Sequence, residues 1–210
     1  MNYLAHAVIG GGAARPDVLV GNFIGDAVKG SAWRAYPAGV QEGILLHRAI
    51  DAFVDAHPES VASRQVLRPA MGRMAGVALD LLHDHFLAGE FADHVEHAGG
   101  LSGFAREVEA VWVERAAEMP ERSQRFLRGL VAHRWLEGYA VREELRVICA
   151  AMDARIPWPT RLVDVVEVSS GMEDELRGRF RERFRGRRRR HVGRRGFGPH
   201  FHTDGRKFLG

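Results

Sequence analysis

His47-Arg48-Ala49-Ile50-Asp51 and Asp80-Leu81-Leu82-His83-Asp84-His85-Phe86-Leu87 set imidazole and carboxylate groups into apolar runs of helical period. On a helix, residues four apart share a face, so His47 and Asp51 project to one side, as do Asp80 and Asp84, with His85 about 100° round from Asp84. A carboxylate or imidazole taken out of water costs several kcal/mol, or shifts its pKa, unless it is paired, hydrogen-bonded or bound to a cation. Two such stretches in one small domain point to a metal.

The flanking sequence extends the helical reading along the chain. Strict apolar/polar alternation is scarce and a 3.6-residue period recurs, so the fold class expected is all-α. Pro16 opens a helix through Val28 that Gly30 closes, and a long helix runs over 39–56 until His57-Pro58 ends it. A short helix follows Pro58, and a longer one after Pro69 runs toward Ala92. Ser102 is a candidate N-cap for a helix over 103–117. Further helices are expected over 122–139, with a break near Gly138, over 141–154, and over 159–185 with a bend near Gly171.

At 210 residues, 46% of them hydrophobic, the chain is expected to build one domain over 1–186. The single cysteine, Cys149, excludes an internal disulfide and a Cys-rich zinc site, so the cytoplasm is the expected compartment. The N-terminus lacks the basic region of a secretory signal, and no apolar run approaches the roughly 20 residues of a membrane span. No membrane association is expected.

The formal charge of +3 is unevenly spread. Eleven arginines and one acid, Glu182, lie between Arg177 and Arg195, a local +10 that leaves −7 for the rest. Residues 187–210, rich in Arg, Gly and His, read as a disordered basic tail. Such a cluster attracts polyanions; a solvated extension without catalytic relevance is the alternative.

Nitrogen and carboxylate oxygen together suit Mn²⁺, Fe²⁺, Zn²⁺ or, with more oxygen, Mg²⁺. Solvated acids with locally bonded histidines are the competing reading. His6 and Asp26 add weight to the metal. Asp26 ends an apolar run near a predicted helix C-terminus, where the macrodipole disfavours an anion without a nearby cation, although Lys29 or Arg48 would also serve. His6 taken alone fits a satisfied core histidine better than a ligand.

These residues carry a resemblance to a known family. Met1-Asn2-Tyr3-Leu4-Ala5-His6, Gly21-Asn22-Phe23-Ile24-Gly25-Asp26-Ala27-Val28-Lys29-Gly30, Leu46-His47-Arg48-Ala49-Ile50-Asp51 and Asp84-His85-Phe86-Leu87 resemble, in order, four boxes of the acyl carrier protein phosphodiesterases. Weaker similarity continues through Trp135 and Tyr139 to Phe184. The resemblance implies an all-helical, HD-domain-like fold that uses a divalent cation, Mn²⁺ first, with Mg²⁺ or Fe²⁺ as alternatives. The reaction it implies is release of 4′-phosphopantetheine from the serine of holo acyl carrier protein, an acidic protein partner.

By position, the resemblance makes His6, Asp26, His47, Asp51, Asp84 and His85 the candidate metal residues. Asp26, His47, Asp51 and Arg48 are then the catalytic candidates, and Lys29 and Arg48 would hold the substrate phosphate. Surface solubility is the plainer reading of both basic residues. The order Asp84-His85 reverses the doublet that names HD domains. His83 stands where an aromatic is expected, and Phe91 where a tryptophan is.

Two other functions fit the same residues less fully. A nucleotide such as a guanosine polyphosphate would suit the same metal site. Nucleic-acid binding through the arginines would make the boxes structural, but no nucleic-acid-reading motif accompanies them.

Overall fold

The computed structural model describes the backbone of residues 3–191 and the side chains of residues 3–183. Regular structure among the described residues is entirely helical, as the period predicts. The helices are α1 (Tyr3–Gly10), α2 (Pro16–Ile24), α3 (Ala38–Ala56), α4 (Pro58–Met71), α5 (Ala75–Gly89), α6 (Phe91–His94), α7 (Gly100–Glu114), α8 (Glu121–Ala132), α9 (Trp135–Gly138), α10 (Arg142–Asp153), α11 (Val165–Ser170) and α12 (Glu173–His191). None of the described helices is long and apolar enough to cross a membrane.

Several boundaries depart from expectation, each for a local reason. Helix α2 stops at Ile24, so Asp26 lies in a turn whose Ala27 and Val28 N–H groups both donate to the Ile24 carbonyl. Pro69 sits inside α4, and the break comes at Gly72, whose φ of +53° suits a residue without a side chain. The region 122–139 breaks at Arg134, with φ of +49°, ahead of Gly138. Helix α7 begins at Gly100, and Ser102 hydrogen-bonds Glu137 without capping. The expected bend near Gly171 is a full break between α11 and α12. Helix α12 continues to His191, past the expected boundary at 186, and residues 192–210 of the basic tail lie outside the described residues.

Helix α5 is buried nearly all round: Leu79, Leu81, Leu82, Asp84, Phe86 and Leu87 are all within 1% of complete burial. An all-round apolar helix belongs at the centre of a bundle, and α1, α4, α10 and α12 pack against it. Its Asp84 carboxylate accepts from Leu4 N (2.8 Å) and Ala5 N (3.1 Å), at the end of α1 where N–H groups lack partners within the helix. One buried side chain on α5 therefore seats α1.

Helices α2 and α3 cross with their backbones in near contact. A Cβ on Gly21 would lie 2.1 Å from the Val40 carbonyl oxygen, and one on Gly43 would lie 2.3 Å from that of Val18. Only glycine permits that approach. From α7, Trp112 donates to the Leu19 carbonyl at 3.3 Å and stacks near Phe23, so the far side of α2 is covered as well.

The first arginines of the basic run have structural work. Glu90 accepts from Arg177 and Arg181 and meets His94; burial opposes its charge, but the two guanidinium groups outweigh burial and hold the carboxyl at about 2. Arg179 pairs with Glu59 and Glu175, and buried Arg183 reaches Ser60 and His83. These contacts clasp α12 to α4–α6, so these four arginines are part of the fold. Side chains from residue 184 onward lie outside the description.

Candidate metal centre

The site forms where α1, α2 and α3 meet, and Asn22 organises it. Asn22 Nδ2 donates to the His6 carbonyl (2.9 Å), which fixes the amide so that Oδ1 faces His6 Nδ1 at 2.8 Å. His6 Nδ1 is then the protonated nitrogen. The Asn22 backbone carbonyl accepts from His47 Nδ1 at 2.8 Å, fixing the second imidazole in the same tautomer. The two rings stack with centroids 4.2 Å apart, and both Nε2 atoms turn toward Asp51.

Asp51 offers one oxygen to each ring. Oδ1 lies 3.1 Å from His6 Nε2, and Oδ2 lies 3.1 Å from His47 Nε2. Asp26 Oδ1 approaches His47 Nε2 at 3.6 Å from the turn after α2, with its side chain 81% exposed. Ligand atoms of His6, His47 and Asp51 all lie within 4.8 Å of one another. His47 Nε2 is buried and makes no hydrogen bond of acceptable geometry, despite two carboxylates nearby.

That combination fits a divalent cation. Two imidazoles with Nδ1 protonated direct Nε2 lone pairs at a carboxylate, a repulsive arrangement unless a proton or a cation stands among them. Hydrogen bonding from Nδ1 to a carbonyl or amide oxygen is how proteins orient metal-ligating histidines. The donor set is nitrogen and oxygen without thiolate, which suits Mn²⁺, Fe²⁺ or Zn²⁺.

The electrostatics agree. Burial alone would lower the His47 pKa, but Asp26 and Asp51 overcome it and raise the ring to about 9. His6 is lowered by burial, against the pull of Asp51. His47 lowers Asp26, and His47 with His6 hold Asp51 well below the carboxylate range in spite of burial. Without metal, His47 therefore carries a proton at neutral pH that a cation must displace. Mn²⁺ affinity is expected to rise about tenfold per pH unit from pH 6.5 toward 9 and then level off, with one proton released per ion. Calorimetry in buffers of different ionisation enthalpy measures both quantities.

Gly25 lets the ring sit where it does. A Cβ there would fall 2.3 Å from His47 Cγ. Gly25→Ala is expected to cost about 1–3 kcal/mol of stability, as overpacking does, and to weaken metal binding by shifting the ring. Thermal unfolding with and without Mn²⁺ reads the two effects.

The remaining predicted residues are placed as follows. Asp84 lies outside the group formed by His6, His47 and Asp51, and each of its oxygens accepts from an α1 N–H group. Burial pushes its carboxyl up to about 7, against those two hydrogen bonds. His85 is buried on α5, where its Nδ1 donates to the Tyr139 carbonyl at 2.7 Å, and it too falls outside the three-residue group. Arg48 donates to the Val28 carbonyl at 2.7 Å and so pins the turn that carries Asp26. Lys29 is exposed in that turn.

Asn22 was not among the residues the sequence marked for the site, and Asp80, marked by its i,i+4 spacing from Asp84, was not among those the resemblance carried over. Asp80 lines the cavity beside the cluster together with His6, Asn22, Asp26 and His47, and burial raises its pKa. The signal for Asn22 was present: it is the one amide in the apolar run Val18–Ile24.

With fold and site described, comparison with known proteins places the chain. The family model described as acyl carrier protein phosphodiesterase matches residues 1–186. Among the relatives, the acyl carrier protein phosphodiesterases of Enterobacter sp. (strain 638) and Klebsiella pneumoniae (strain 342) are 31% and 32% identical over 180 residues. Both alignments cover 86% of this chain and 92% of the relative. The Yersinia pestis protein of that name is 31% identical over 140 residues, 67% of this chain and 71% of its own length. No solved structure matches. The chain belongs to the acyl carrier protein phosphodiesterase family.

Proposed function

We propose that this protein is a divalent-metal phosphodiesterase that hydrolyses holo acyl carrier protein to the apo form and 4′-phosphopantetheine. The observation that carries the reading is the convergence of the His6 and His47 Nε2 atoms on the two oxygens of Asp51, each at 3.1 Å. Family membership supplies the substrate, since the relatives are named for it. His6, His47 and Asp51 would hold the ion, with Asp26 completing the set from the exposed side, and Mn²⁺ is the ion we assign. A cation bound there supplies Lewis acidity, neutralising phosphoryl charge and making water an effective nucleophile near neutral pH.

The chain's own residues do the rest. Asn22 holds both imidazoles in the metal-binding tautomer. Asp26, exposed at the edge of the cluster, orients the attacking water and takes its proton. Water oxygen bonds to phosphorus, the phosphorus–serine oxygen bond breaks, and a proton passes to the serine oxygen, leaving the phosphate on the pantetheine arm. Arg48 acts by holding the turn of Asp26 in place, and Lys29 is free to meet the carrier's acidic surface. Kinship with HD-domain hydrolases belongs to the same proposal.

The test is incubation of the full chain with Mn²⁺ and holo acyl carrier protein, followed by mass measurement of the carrier. Loss of the phosphopantetheine mass, blocked by EDTA, is expected. An unchanged carrier beside hydrolysed guanosine polyphosphate would overturn the substrate assignment, and metal-independent cleavage would overturn the centre.

A further inference from the structure

A cavity of about 170 Å³ adjoins the metal centre and divides into two chemical halves. One half presents His6, Asn22, Asp26, His47 and Asp80. The other is apolar, walled by Tyr3, Ala7, Leu19, Phe23, Val77 and Trp112. Leu19 and Trp112 are 0% and 1% exposed, and Phe23 meets the rings of Tyr3 and Trp112 at 5.4 and 4.5 Å. The Trp112 N–H is already satisfied by the Leu19 carbonyl, which leaves the Tyr3 hydroxyl as the polar group of this wall.

We propose that this apolar half binds the branched hydrocarbon next to the phosphate of the substrate's arm, a proposal that rests on the function given above. A phosphodiester has two sides. The serine side belongs to a folded carrier protein too large to enter, so it stays at the mouth, where Asp26 is exposed. The other ester oxygen of 4′-phosphopantetheine leads through one CH₂ to a carbon bearing two methyl groups, a branched unit of four carbons that neopentyl phosphate mimics, beyond which the arm carries a hydroxyl and runs on out of the cavity. At about 30 Å³ for each water-sized group, those four carbons take about 120 Å³ of the whole cavity's 170 Å³ and leave the remainder to the phosphate oxygens on the polar side.

The chemistry selects as well as the size. A ribose in the same place would press several hydroxyls against Leu19, Phe23 and Trp112 with the Tyr3 hydroxyl as the one polar group of that wall, a desolvation cost that hydrocarbon avoids. The cavity thus favours phosphate esters of branched apolar alcohols over sugar phosphates.

The test uses three small probes on the Mn²⁺-loaded full chain: neopentyl phosphate, methyl phosphate and ribose 5-phosphate, each titrated by calorimetry. Neopentyl phosphate is expected to bind at least tenfold tighter than the other two, given the hydrocarbon it buries. In Val77→Phe, which fills the cavity from its partly exposed side, that preference is expected to fall below twofold. The wild-type comparison stands alone if the variant does not fold. Equal binding of neopentyl and methyl phosphate, or tighter binding of ribose 5-phosphate, overturns the proposal. Carrier cleavage without neopentyl preference refutes the cavity assignment alone. Preference without carrier cleavage upholds the cavity and refutes the parent function.

Discussion

Replacing His47 with alanine is expected to weaken Mn²⁺ binding at least 100-fold and to lower carrier hydrolysis by about 10³ or more, the scale set by loss of a metal that supplies both nucleophile and charge stabilisation. The magnitude follows from position. His47 Nε2 stands 3.1 Å from Asp51 and 3.6 Å from Asp26, so removing the ring leaves two carboxylates and one imidazole without their common neighbour. The fold should tolerate the change, because the ring's anchor on the Asn22 carbonyl lies at the cavity edge, where water can replace it. Calorimetric metal titration and the carrier mass assay, run beside circular dichroism, separate lost ligation from lost structure.

Asp84→Ala is expected to act on stability first, costing about 4 kcal/mol. Two buried amides, those of Leu4 and Ala5, lose their acceptors, and each orphaned donor costs about 1–3 kcal/mol. Helix α1 carries His6, so its loosening will also lower metal affinity. Asp84→Asn keeps one acceptor and the side-chain shape, and should retain most of the Mn²⁺ affinity while losing part of the stability. Urea unfolding with a constant m-value reads the first effect. Equal loss of metal binding in Asp84→Asn and His47→Ala would instead make Asp84 a ligand.

The contrast between these residues shows what was legible in the sequence. The helical class, the core face of α5 and the pairing of His47 with Asp51 follow from period alone. Sequence also says that the Asp84 carboxylate, set among Leu81, Leu82 and Leu87, needs a partner. It does not say which one. An exposed helix N-terminus and a cation satisfy a buried carboxylate equally well, and only the three-dimensional fold brings α1 end-on to α5. Asn22 was half visible for a related reason: its amide stands out in an apolar run, but the rest of its effect comes from a backbone carbonyl, which every residue has. Asp26 was visible, but its place in a turn was not, since Gly25 and Gly30 both suit a helix end and the nearer one prevails.

The arginine run makes the same point about charge. Read linearly, Arg177, Arg179, Arg181 and Arg183 belong to the polyanion-attracting cluster that runs on to Arg195. In the fold, Glu59 and Glu90, distant in sequence, with Glu173 and Glu175 one helical turn away, neutralise three of them, and burial claims the fourth.

Anomalous diffraction from crystals grown with Mn²⁺ is the most direct examination of the centre described here. One peak per chain is predicted, about 2 Å from Nε2 of both His6 and His47 and from an Asp51 oxygen. A peak seated instead on Asp84 and His85, or none at the His6–His47–Asp51 cluster at saturating Mn²⁺, would contradict it.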